Sequence, residues 1–193
     1  MFINASIFGC KFHHGQACVR QLDEKGLRNA YREDGRVQSY LKLLFALPYL
    51  PEEHIREAFR RLSLEATPDL LPYVQYFEDT WVKHWGPQSW CCFQEFVRTN
   101  NDVEGWHTRL HTLAGNISSL DLYLLIDLLH GEALKLPLTC VLVEEEKLVR
   151  RPRSSTKALN ALLTESWAAL ESGSLTTLNF LKKIRDAAAP ANI

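Results

Sequence analysis

Glu104 is the residue with the most chemistry to offer. It stands in the run Arg98-Thr99-Asn100-Asn101-Asp102-Val103-Glu104-Gly105-Trp106-His107. A carboxylate held on a helix beside Asn100 and Asn101, whose amides can hydrogen-bond a phosphate, suits a divalent-metal ligand in phosphodiester chemistry. The competing reading is an ordinary acid on a solvated helix face. Softer ligands form a second set. Cys10-x-x-His13 brings a thiolate and an imidazole within reach of one ion, and zinc takes about four ligands. His107 and His111, at i and i+4, can face the same ion and complete a Cys-His-His-His site. Against zinc stands Cys10 as a small buried hydrophobe and His13 as a hydrogen-bonded core residue.

Phosphate contacts have their own candidates. Arg98 lies beside the asparagines, and Arg150, Arg151, Arg153 and Lys157 form a basic connector that reads as a phosphate site, a nuclear address or a solvated linker. Trp81, Trp85, Trp90 and Trp106, with Phe77, Phe93 and Phe96, can stack on bases or fill a core, and their helical spacing favours the core.

The elements that must position these groups read as helices. Val37, Tyr40, Leu41, Leu44 and Phe45 make one apolar stripe that stops before Pro48. Pro51-Glu52-Glu53 is a good first turn for a helix burying Ile55, Phe59 and Leu62. The next helix begins near Pro72, carries Val74, Phe77 and Trp81, and closes at Gly86-Pro87. The helix of Glu104 has Asn100 or Asn101 to cap it and Gly115 to end it. At about 100° per residue, Glu104, His107, Thr108 and His111 share a polar face, and Val103, Trp106, Leu110 and Leu113 make a core stripe on another. A further helix is expected from Ser118 and Ser119 to about His130. Leu136 to Val143 stays open between strand and helix. Two last helices carry Leu159, Leu162, Leu163 and Leu170, then Leu178, Leu181 and Ile184, before frayed residues from Ala187 to Ile193. Ser6 to Gly9 is the single convincing strand, leading into a helical stretch that ends near Gly26.

Bulk properties narrow the function classes. With 193 residues, 46% hydrophobic, the chain has the composition of a globular domain and not of a disordered tail. A formal net charge of -1 lacks the basic excess of an autonomous DNA-binding module, so any nucleic-acid contact is local. No apolar run is long enough to span a bilayer. Five cysteines, with Cys91 and Cys92 adjacent and no Cys-x-x-Cys pair, argue against a secreted disulfide framework. A nuclear or cytosolic, non-secreted protein without membrane contact is the expectation.

Three spaced blocks resemble the later part of the Mutator-like (MULE) transposase domain. They are Phe8-Gly9-Cys10-Lys11-Phe12-His13 followed by Gln16; Leu47-Pro48-Tyr49-Leu50-Pro51; and Tyr76-Phe77-Glu78-Asp79-Thr80-Trp81 leading to Arg98-Thr99-Asn100-Asn101-x-x-Glu104-Gly105-Trp106-His107. The resemblance implies an RNase H-like, DDE-type core that cuts and joins DNA with two Mg²⁺ ions. A helical insertion, here 10–97, precedes the helix of the last acid, 98–115, and C-terminal helices, 116–193, follow, all in one domain. Glu104 matches the third acid, and Cys10 with His13 matches the family's Cys-x-x-His pair.

The first two acids are expected upstream of the Gly-Cys-x-Phe-His block, and no aspartate precedes it here. One carboxylate cannot clamp the attacking and leaving oxygens through two metal ions. The expectation is therefore a mainly α chain with one short N-terminal strand and no catalysis of its own. It would be a truncated gene model, a decayed element or a helical domain reused to bind DNA or protein, with Zn²⁺ as a candidate stabiliser.

Overall fold

The structure, a computed structural model, describes residues 9–95, 97–117, 119–148 and 153–190. Among them the chain is mainly helical, with no residue in a strand. In order the helices are α1 (Lys11–Glu24), α2 (Arg28–Glu33), α3 (Gly35–Ala46), α4 (Glu52–Leu64), α5 (Leu71–Phe77), α6 (Asn101–Leu113), α7 (Leu122–Ala133), α8 (Leu136–Glu144), α9 (Ser154–Glu171) and α10 (Thr177–Ala188). Most of the strand expected at Ser6 to Gly9 lies outside the described residues. Gly9 itself is in no strand, and its N–H donates to the Ser89 carbonyl at 2.7 Å.

Contacts divide the chain into two compact units, Met1–Thr99 with Ser154–Ile193, and Asn100–Arg153. In the first unit, α3 is the hub. Its apolar stripe at three- and four-residue steps buries Val37, Tyr40, Leu41, Leu44 and Phe45, and α10 packs along it with Phe180, Leu181 and Ile184. Leu44 is fully buried, so truncation to alanine would cost about 2–5 kcal/mol. Asp34 starts α3 by accepting from the Arg36 N–H at 2.8 Å, and Thr176 caps α10 through the Asn179 N–H. Pro48 ends the α3 run inside the short 3-10 turn Leu47–Tyr49. Pro51 occupies the N-cap of α4, one position before the N1 site the sequence suggests. Two of the polar groups that enter the core are satisfied by main-chain carbonyls. The Tyr40 hydroxyl donates to the Leu62 carbonyl at 2.9 Å, and the Trp167 indole N–H to the Tyr49 carbonyl at 2.8 Å.

α5 continues into a wider π-helical turn, Glu78–Trp85, which Gly86 ends at φ +74°, a conformation closed to most L-residues. The carbonyl of Trp81 in this turn accepts the Trp90 indole N–H at 2.8 Å, fixing the following aromatic segment. α10 stays ordered and packed through Ala188, which is 5% exposed, where the sequence suggested fraying. Burial of Ala188 and the contact of Ala189 with the core hold this end down.

The second unit holds α6, α7 and α8. Leu136 to Glu144 resolves as helix: Pro137 sits in the first turn, where its missing N–H costs nothing. α7 is started by Asp121, whose side chain accepts from the Tyr123 N–H at 2.9 Å, and not by Ser119; Ser118 lies outside the described residues. No residue of these three helices is buried. The expected core stripe of α6 is instead open, with Trp106 41% and Val103 and Leu113 53% exposed. Three short helices enclose too little volume to bury the many leucines of α7 and α8 as well.

Candidate functional site

Glu104 stands in the first turn of α6, near the positive end of the helix dipole, with an exposed side chain. Its backbone N–H donates to the Asn100 carbonyl at 2.9 Å and its carbonyl accepts from the Thr108 hydroxyl at 2.9 Å. Asn100 occupies the N-cap with φ -85° and ψ 17° and makes no side-chain capping bond. That conformation is not the extended one from which a cap side chain reaches the first N–H groups, so the capping expected from sequence is absent at Asn100. Asn101 is the first helical residue and is exposed.

The rest of α6 is tied to α7 by charge. Glu132, whose side chain is 13% exposed, receives both Arg109 nitrogens at 3.1 Å and the Lys135 ammonium at 2.6 Å. Those hydrogen bonds, Arg109 first and Lys135 second, hold its carboxyl below the usual glutamate range. The trio and Trp106 border a cavity of about 480 Å³ with Leu129, Leu136 and Thr139. Sequence reasoning missed Arg109 and Glu132, because an ion pair between helices 23 residues apart has no local spacing to announce it. His111 Nδ1 lies 3.2 Å from Asn116 Oδ1, which orients the ring.

The other histidines and the cysteine stand in the first unit. Cys10 is half-buried at the N-cap of α1 and His13 is exposed one turn on. They border a cavity of about 280 Å³ with His14, Trp81, Trp85 and Trp90. Gly9 enters this wall so closely to Ser89 that an added Cβ would lie 2.7 Å from the Ser89 carbonyl oxygen. His14 is the buried member: its ring lies 5.3 Å from Trp90 in a stack and 4.3 Å from Trp81 edge-on. Burial, reinforced by the charge of Lys11, pushes its imidazole well below the ordinary histidine value, so it is neutral. Cys18, 3.9 Å from His14 Nε2, has its thiol pushed up to about 12 by the same burial. It is an inert core group and not a nucleophile.

Of the four residues of the zinc set, Cys10 and His13 belong to one unit and His107 and His111 to the other. Among the described residues no three His, Cys, Asp or Glu side chains gather where they could hold a metal ion. The two-Mg²⁺ site of a DDE enzyme needs several convergent carboxylates, and the carboxylates described here do not fit it. Arg98 is in the first unit, where it donates to the Glu95 carbonyl and to Asn160, and lies 5.8 Å over the Tyr49 ring. Arg153 is exposed, Lys157 belongs to α9, and Arg150 and Arg151 lie outside the described residues. Of the aromatic segment, Trp90 is buried, Phe93 meets the Trp167 ring edge-on and Trp85 is 54% exposed; Phe96 is outside the described residues. No helix among the described residues is long and apolar enough to cross a membrane.

Comparison with models of known families, with curated proteins and with solved structures finds no match to the chain.

Proposed function

We propose that this chain is the helical part of a Mutator-like transposase catalytic domain, with Glu104 as the last acid of an RNase H-like DDE site and a nuclear or cytosolic address. The observation that carries the reading is the design of α6: it presents Glu104 on one side and, on another, an apolar stripe of Val103, Trp106, Leu110 and Leu113, of which no residue is buried. A helix that brings a catalytic acid to the edge of a sheet has this division of faces. The ordered blocks around Gly9-Cys10, Leu47-Pro48 and Tyr76-Phe77 support the same assignment.

On this reading the ancestral role is DNA transposition, with DNA as partner. The chain by itself does not cut DNA, because its matched blocks supply one of the three acids. The test is the reading frame upstream of Met1 in the gene. A continuation encoding two aspartates on strand-like segments supports the proposal, and an intact continuation without them removes it.

A second reading has its own observation. A helical module reused for binding would contact its partner through the loop from Trp85 to Phe96 and the basic connector 150–157, and of these the Trp85 indole and Arg153 are exposed. Gel-shift assays distinguish the two kinds of partner, since DNA binding through such groups weakens steeply with salt.

A further inference from the structure

Lys11 is a buried cation without a counter-ion. Its side chain is 9% exposed, yet no carboxylate lies within ion-pair distance of its ammonium among the described residues. Its neighbours are an aromatic face, the Tyr49 ring at 5.6 Å, and Gly15, where an added Cβ would stand 3.4 Å from the Pro190 ring and 3.9 Å from Nζ. Burying an ammonium with only a π-face as partner is costly, and an anion is the group that offsets it. The space for one is present. Lys11 and Gly15 border a cavity of about 460 Å³ whose other polar walls are Gln16, Arg20, Arg28 with Asp23, and Thr99.

The charges around this cavity are one-sided. Asp23 is its single acid, and a bidentate pair with Arg28 consumes it. Arg20 has no ion pair among the described residues, and the side chains of Gln16 and Thr99 make no hydrogen bond there. The amino end of α1 adds to the field. Lys11 is its first residue, with its N–H donated to the Arg98 carbonyl at 2.8 Å; no side chain caps the helix and its first turn holds no acid, so no negative charge of α1 itself offsets the positive end of the dipole beside this lysine. Helices ordinarily place acids there, and a bound anion restores that balance.

We propose that Lys11, Arg20 and the amino end of α1 form a binding site for a phosphate group, with Gln16 and Thr99 as neutral donors. A tetrahedral anion with several acceptor oxygens can use two cations, an amide and a hydroxyl that border one cavity more fully than a planar carboxylate can. The inference concerns the first unit and does not rest on the role given to Glu104.

The test uses the full chain and inorganic phosphate, with chloride and acetate at equal ionic strength as controls. Thermal unfolding should shift upward with phosphate and not with the controls. Calorimetric titration should show Lys11→Met weakening phosphate binding by about tenfold or more, as loss of a charged hydrogen-bond donor does. Arg20→Gln, at the exposed rim, should weaken it by a smaller factor and serves if Lys11→Met fails to fold. A short phosphodiester oligonucleotide tests the source. Lys11-dependent binding tighter than that of phosphate assigns the site to a nucleic-acid backbone, and phosphate binding alone assigns it to free phosphate. No phosphate-specific shift, or binding unchanged in both variants, overturns the proposal.

Discussion

The imidazole of His14 stacks on the indole of Trp90, centroids 5.3 Å apart and planes 17° from parallel, and its buried Nδ1 has no hydrogen-bond partner among the described residues. Trp81 and Phe77 close the ring from the edge, Lys11 lies one helical turn before it, and Cys18 one turn after. Protonating His14 would place a charge among three aromatic rings and beside a lysine.

Its folded value is depressed below the ordinary 6.5, so near and below pH 6.5 the unfolded chain binds the extra proton and the folded chain does not. Stability from this group is thus full above about pH 6.5 and is lost as pH falls below it. Urea unfolding between about pH 7.5 and about pH 5.5 should show the wild type losing stability faster than His14→Phe. Equal slopes in the two proteins would refute this.

Trp167 ties α9 to the Leu47–Tyr49 turn through its indole N–H and the Tyr49 carbonyl at 2.8 Å. Trp167→Phe keeps most of the apolar volume and leaves that buried carbonyl without its donor. The expected loss is about 1–3 kcal/mol in urea unfolding, and a change below about 0.5 kcal/mol would show that the bond contributes little.

The helices of the second unit should open far more readily than those of the first. No residue of α6, α7 or α8 is buried, whereas α3 and α10 bury most of their apolar faces. Amide hydrogen exchange should therefore be fast in 101–144 and slow in α3 and α10. Comparable protection in both would mean that α6 to α8 are covered by a partner in solution.

How much of this was legible depended on local pattern. The stripe from Val37 to Phe45 and the start at Pro51-Glu52 could be read because helical spacing and end chemistry are local signals. α2 gave no such signal, since Tyr31 is its single buried residue. At Leu136 to Val143 the β-prone valines and Thr139 competed with Pro137 and the following acids, and propensity alone could not decide. The pattern of α6 identified an apolar side but not whether anything lies on it, which is a tertiary fact. For the candidate site, the helix of Glu104 is legible from its local pattern; the Arg109–Glu132 pair and the buried charge of Lys11, between Cys10 and His13, are not visible before their surroundings are known.

Glu104 is the one acid of the proposed DDE site that the matched blocks supply. Purified chain and its Glu104→Ala variant should be incubated with terminal-repeat and supercoiled DNA in Mg²⁺ and then Mn²⁺, and strand cleavage followed on gels. No metal-dependent cleavage by either protein is expected, because one carboxylate cannot hold two ions across a scissile phosphate. Robust cleavage by the wild type that disappears in Glu104→Ala would contradict this expectation.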